Sequence, residues 1–268
     1  MRDAVRRVMT AAVIAVTCAG AGAAAACTDV VTDPSVPFSI ELRDPQLPSV
    51  VVGDSMRDTL GVAVPLDARV FNAQNDLIPD APVTFLPVSG TGQIILGGTT
   101  GIVVGVDTGT VAVIAQSGSL QSQRVTLHIV PVPDTIIATD DPRKSLDVLI
   151  GQDNAVALPV QVLHDPTPTV ANDPLTAVPD FLVTYAIVDP SGLSPTDTTV
   201  VHLINDAQRV STRDTTDTQG TASRSLRVGR AIRAPIPDSV VIEASARLPN
   251  GTPVAGSPVR FVVTINAP

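Results

Sequence analysis

From Ser39 onward, short runs rich in Val, Ile and Thr recur about every ten residues, each closed by turn chemistry. The runs are Ile40–Leu42, Val50–Val52, Gly61–Val70, Pro82–Val88, Gln93–Leu96, Ile102–Val106, Thr110–Gln116 and Gln123–Val130. Between them stand Asn75-Asp76, Ser89-Gly90, Gly97-Gly98 and Ser117-Gly118, residues that favour turns. Runs this short cannot each bury a face alone, so they must pair. The spacing predicts an all-β chain built of antiparallel sandwiches. Twenty-four prolines oppose long helices, and no window after residue 27 carries a 3.6-residue apolar period.

The pattern breaks at Pro131-Val132-Pro133-Asp134 and then starts again. Val50-Val51-Val52-Gly53-Asp54 is echoed by Asp147-Val148-Leu149-Ile150-Gly151-Gln152, and Val62–Leu66 by Val156–Val160. Val83-Thr84-Phe85 returns as Val183-Thr184-Tyr185, and Val88-Ser89-Gly90 as Val188-Asp189-Pro190. Each half closes on an Arg-led run, Arg124–Val130 and Arg260–Ile265. Four elements kept in order point to two tandem copies of one β-sandwich, 39–133 and 134–268. The second copy carries an insertion, His164–Asp180, whose four prolines predict an exposed loop.

Ahead of the repeats lies a different kind of segment. Arg2, Arg6 and Arg7 precede an apolar run from Val8 to Ala19, and small residues then lead to Ala24-Ala25-Ala26-Cys27. Charge, apolar stretch and small-residue cleavage site, in that order, describe an export signal over 1–26. The apolar run is shorter than the roughly 20 residues a membrane span requires. The stretch resembles a bacterial lipoprotein signal, which implies cleavage before Cys27 and lipidation of that residue. The chain has two cysteines, Cys18 inside the apolar run and Cys27, so the processed protein keeps one and cannot close an internal disulfide. Lipidation gives that thiol a role, while plain secretion with cleavage after Ala26 is the alternative. Residues 27–38, polar and punctuated by proline, read as a tether from lipid to first sandwich. The expected place is the bacterial cell envelope, with the outer membrane favoured, or else the secreted fraction.

With no Trp, one Tyr and five Phe, the cores must be built from aliphatic side chains. Each contributes about 1.5–3 kcal/mol when fully buried. The net charge of −9, which becomes more negative once Arg2, Arg6 and Arg7 are removed with Asp3, excludes a nucleic-acid partner that would need a basic face.

Gly101-Ile-Val-Val-Gly105-Val-Asp-Thr-Gly109-Thr-Val-Ala-Val-Ile-Ala115 resembles the closing hairpin of bacterial Ig-like domains of group 2. Pro82-Val-Thr-Phe85 and Thr216-Asp-Thr-Gln-Gly220-Thr-Ala222 are similar to group 1, the kind repeated in invasins and intimins. The resemblance spans nearly all of the processed chain. It implies tandem Ig-like β-sandwiches that serve as spacers or adhesive modules on a bacterial surface, and no enzymatic activity. A fold alone assigns no chemistry.

The parts of an active site are scarce. His128, His164 and His202 lie far apart, and His128 alternates with Val125, Leu127 and Ile129, which turns it outward. No His-x-x-x-His or paired-Cys spacing offers a metal site, and no Gly-x-Ser-x-Gly turn presents a nucleophile. Neither catalytic residue, metal nor cofactor is therefore expected. Asp140-Asp141 and Asp214 with Asp217 are the candidate calcium clusters, but neither shows a loop supplying six to eight oxygens. Asp in turns is the simpler reading.

One charged feature stands apart: Arg224, Arg227, Arg230 and Arg233, spaced three residues apart. Gathered on one surface they would take an anionic glycan or lipid headgroup. On a strand, however, Arg224 and Arg227 point to opposite faces. The expected function is that of a non-enzymatic envelope lipoprotein acting as spacer or surface interaction module. An adhesin that binds glycan through loops of the second sandwich is the alternative, as is a secreted, non-lipidated form. The expected partners are a membrane, through the N-terminal lipid, and a protein or glycan ligand.

Overall fold

The computed structural model describes residues 33–149, 152, 154–168, 174–198, 200–228 and 236–266. The signal segment and Cys27 lie outside the described residues. Among the described residues there are strands and turns but no α-helix.

The second half is the more regular. Its strands are β10 (Thr135–Ala138), β11 (Arg143–Asp147), β12 (Asn154–His164), β13 (Thr176–Ala177), β14 (Leu182–Asp189), β15 (Val201–Ile204), β16 (Arg213–Thr215), β17 (Thr221–Val228), β18 (Ser239–Ala246) and β19 (Val259–Asn266). One sheet runs β10-β12-β17-β15 and the other β11-β19-β18-β14-β16. That is the A-B-E-D against G-F-C order of an immunoglobulin sandwich, with β16 added at the C edge. Along β17 and β18 inward and outward residues alternate strictly, as pleated strands covered on one face require. Leu158, Val160, Val162, Leu226, Val240, Ile242, Phe261 and Val263 fill the space between the sheets.

The first half repeats this plan with a break in it. Its strands are β1 (Ser39–Leu42), β2 (Val50–Val51), β3 (Ala68–Phe71), β4 (Thr84–Ser89), β5 (Ile94–Leu96), β6 (Val103–Gly105), β7 (Gly109–Ser117), β8 (Leu120–Gln121) and β9 (Val125–Val130). The sheet β2-β9-β7-β4 matches β11-β19-β18-β14 strand for strand. The facing layer is split into the pairs β1-β3 and β5-β6. Residues 53–56 run along β6 instead, through Met56 N–H to Val103 O (2.9 Å) and Gly105 N–H to Asp54 O (3.0 Å). The expected strand Gly61–Val70 is therefore shortened to β3. Its first part is the return arm of a small hairpin that turns at Asp58–Val62, with Gly61 at φ +82°. Pro65, which has no N–H to give a ladder, separates that arm from β3.

The repeat read from the sequence is placed in part, and Ile150 and Gly151 of the first echo lie outside the described residues. β2 runs parallel to β9, and β11, which ends at Asp147, runs parallel to β19, so the two strands hold equivalent places. Among the described residues each sandwich thus holds one parallel strand pair among antiparallel ladders. Phe85 stands opposite Ala115 and Tyr185 opposite Ala244, all four buried, so a large ring over a small residue recurs in both halves. Val62–Leu66 and Val156–Val160 are not equivalent, since the former lies in the hairpin and the latter within β12.

Two further expectations are corrected. The end of His164–Asp180 is not an exposed loop: β13 pairs with β12, and Val178 has no exposed surface. The proline count signalled a break in the ladder, but Val178 supplies apolar area that the core takes up. The tether is held at its end, because the Asn72 side chain donates to Pro34 O (3.2 Å) and Phe38 N–H to Phe71 O (2.8 Å).

Candidate functional site

Arg224 lies on the inward face of β17, 7% exposed, between Ala222 and Leu226 in the buried register. Its guanidinium pairs with Asp214 on β16 (3.0 Å) and donates to the carbonyls of Ser223 (2.7 Å) and Arg213. Asp214 also accepts the Ser223 N–H (2.7 Å). Beside this pair the Tyr185 hydroxyl donates to Ala222 O (3.0 Å). Burial above all, and then the Asp214 charge, push the phenol well above its ordinary range, with Arg224 opposing. Arg224 is thus a structural cation inside the sandwich and is withdrawn from any surface anion site. Arg227 sits on the outer face of the same strand, opposite His202 of β15. Arg230 and Arg233 lie outside the described residues.

The candidate aspartate clusters are taken up locally: Asp214 by Arg224, and the others by turn N–H groups or a neighbouring lysine. Asp217 accepts the N–H groups of Gln219 (2.8 Å) and Thr221 (2.9 Å), the bonds that shape the hairpin leading to Gly220. Asp58 holds Leu60 and Val62 in the same way, and the Asn72 carboxamide holds Gln74 and Asp76. Asp141 accepts Arg143 N–H, and Asp140 pairs with Lys144. Among the described residues no group of three or more His, Cys, Asp or Glu is placed to hold a metal ion.

The arrangement with the richest chemistry lies where the halves meet, and sequence spacing did not reveal it. Val51 and Val130 of the first half are buried (3% and 2% exposed) in the cluster that forms the second half's core. The 53–64 hairpin reaches across to the β18–β19 turn. A Cβ added to Gly61 would stand 2.5 Å from Pro249 O. Arg57 stiffens that hairpin by gripping both carboxylate oxygens of Asp54 (3.0 Å from Nε) and Gly61 O (2.8 Å). The Arg57 hydrogen bonds, with Ser55 N–H in support, hold the Asp54 carboxyl below its usual range against the opposing effect of burial.

On the other side of the junction a cleft of about 480 Å³ is lined by β9, the linker and the Thr176–Asp180 segment. His128 faces outward, as expected, and its Nδ1 meets Asp180 of the second half at 3.0 Å. His164, at the end of β12, meets Asp134 at 2.7 Å and the carbonyl of Val132 at 2.8 Å, both in the linker. Asp134 also accepts Asp165 N–H (2.8 Å) and donates its own N–H to Leu163 O (2.9 Å). The Pro131–Asp134 linker is therefore bonded at Val132 and Asp134. The only trace of this in sequence was the outward register of His128. Asp180, fifty-two positions on, belonged to what read as a loop.

The chain matches no protein-family model and no curated protein. Several solved structures align with most of it. Surface layer protein SbsC, domains 1-6, has a TM-score of 0.31 at 12% identity, covering 88% of this chain and 29% of that one. The Yersinia pseudotuberculosis adhesin InvE has a TM-score of 0.32 at 16% identity, covering 85% and 58%. A domain structure of intimin has a TM-score of 0.29 at 13% identity, covering 84% and 98%. The chain spans between 28% and 58% of the first three structures it aligns with. TM-scores near 0.3 define no family, and the sandwich topology rests on the ladders themselves.

Proposed function

We propose that the chain is a non-enzymatic envelope protein, tethered to a membrane through lipid on Cys27, whose two sandwiches, divided at 133/134, act together as a spacer. The observation that carries this reading is the junction. A spacer must transmit its length, which a freely swivelling joint cannot do. Here Val51 and Val130 enter the second half's core and the linker is held by His164 and Leu163. The lipid reading rests on the residue pattern before Cys27. Commitment of Arg224 to Asp214 supports a spacer over an anion-binding module.

A screen of the exported chain against sulfated, phosphorylated and neutral glycans at low salt tests the reading. A spacer gives no binding. Saturable binding that disappears when residues 165–175 are exchanged for a Gly-Ser stretch would overturn it in favour of an adhesin.

A further inference from the structure

Where the tether joins the first sandwich, Val36, Phe38 and Leu77 are 55%, 68% and 52% exposed. Adjacent segments hold them at one pole. Phe38 donates its N–H to Phe71 O (2.8 Å), Ser39 stands opposite Phe71 in the β1–β3 ladder, and Leu77 pairs with Phe71 on its other edge. Of the five phenylalanines, Phe85, Phe181 and Phe261 are buried and Phe71 is half-buried, so Phe38 is the one left to solvent. The backbone here has no donor left to give. Pro34 and Pro37 have no N–H, and the Ser35 N–H goes to the Asp33 carboxylate (2.9 Å). The Val36 N–H goes to Asp33 O (3.1 Å) and that of Phe38 to Phe71 O. From 34 to 38, then, no backbone N–H depends on water.

We propose, resting on the lipidation of Cys27, that Val36, Phe38 and Leu77 dock this pole onto the lipid surface, so that the spacer stands on the membrane by its own foot. Chain length carries the argument to the membrane. Five residues separate Cys27 from Asp33, a link of roughly 20 Å at full stretch. The chain is already fixed to the sandwich at Pro34, through the Asn72 side chain (3.2 Å). The pole is thereby confined to the neighbourhood of the headgroups. Entering an apolar medium is costly for an unmet backbone N–H, and this segment carries none in. Apolar side chains of surface-bound segments reach about 5–10 Å into the boundary between headgroups and acyl chains. The charges beside the patch are Asp33 and Asp76, and neither 33–39 nor 71–78 contains Lys or Arg. The attraction is therefore apolar and insensitive to salt. Three side chains do not hold a protein on a membrane alone, but the lipid supplies the local concentration at which a weak second contact forms. A second copy of the chain fits less well, because a stable dimer takes roughly 20–30 residues a side.

The chain has no tryptophan, so Phe38→Trp gives a single fluorescent reporter. Val36→Trp is a second, and Val262→Trp, on the exposed face of β19 in the second sandwich, is the control. Each lipidated protein is floated with phosphatidylcholine vesicles whose acyl chains carry bromine. The expected result is a blue shift and loss of emission from the reporters at 38 and 36, greater with bromine near the headgroup than near the chain end. The control at 262 should be unchanged, and salt should alter neither. Flotation without quenching at 38 and 36 overturns the docking and leaves the anchor standing. Failure to float removes the anchor, and the docking with it. Equal quenching at 262 would mean that the chain lies flat, which also overturns the proposal. So would a blue shift that grows with protein concentration in the absence of vesicles, since a second copy would then cover the pole.

Discussion

Arg224 and Asp214 meet at 3.0 Å inside the second sandwich, with the arginine 7% exposed. A charge taken this far from water persists only with its partner in place. Asp214→Ala should therefore cost about 3 kcal/mol by leaving the guanidinium buried and unpaired. Arg224→Met combined with Asp214→Ala should recover part of that loss. Urea unfolding of the three proteins measures it. A single variant as stable as the parent would show that water reaches the pair.

Tyr185 is the chain's only tyrosine, and its phenol is held protonated far into alkaline solution. In the unfolded chain a phenol ionises near pH 10. Above that pH the folded state holds a proton that the unfolded state has lost, so stability falls as pH rises. Tyrosinate absorbance should appear only together with loss of the β-type circular dichroism signal. Absorbance rising in the folded protein near pH 10 would contradict the burial.

The Asp54–Arg57 clamp has the opposite sign. With the Asp54 carboxyl depressed in the folded state, its contribution is full above the unfolded value near 4 and is lost as pH falls through the folded value. Asp54→Asn should remove this part of the acid sensitivity and cost about 1 kcal/mol at neutral pH. Urea titrations of parent and variant from neutral to acid pH should converge at the acid end.

Gly61 and Gly118 make a matched test of the junction. Both have positive φ, but a Cβ at Gly118 meets nothing within 4 Å, whereas one at Gly61 meets Pro249 O. Gly118→Ala should cost about 1 kcal/mol, the backbone strain alone. Gly61→Ala should cost more and also separate the halves. Protease should then cut near Pro131–Asp134, a linker otherwise protected by its bonds. Equal effects at both sites would mean that the hairpin does not bear on the second half.

Cys27→Ser tests the anchor. Expressed in a bacterium with lipoprotein processing, the parent should partition into detergent after losing residues 1–26. The serine variant should remain unprocessed or appear in the soluble fraction. A variant that matures and fractionates like the parent would exclude lipid at Cys27.

Alternation and turn chemistry are local properties, so they were legible without a structure. Ser-Leu-Arg-Val on β17, the Asp-led turn at Asp217–Gly220 and the echo of Phe85 by Tyr185 each depend on neighbours within a few positions. A side chain's face follows from the pleat, and a turn from the residue that satisfies its N–H groups. From these the all-β class, the repetition and the outward register of His128 could be read. The tertiary structure decided everything that depends on which strand lies beside which. It buried Arg224 because β16 brings Asp214 against β17, although arginine every third residue reads as a surface feature. It split the first half's outer layer because residues 53–56 take the edge of β6 that β3 would otherwise use. It also brought His128 to Asp180 and Gly61 to Pro249 across the junction. Partners far apart along the chain leave no periodicity behind them. The physical reason is that such contacts are set by the shape and charge of surfaces that only the assembled ladders bring together.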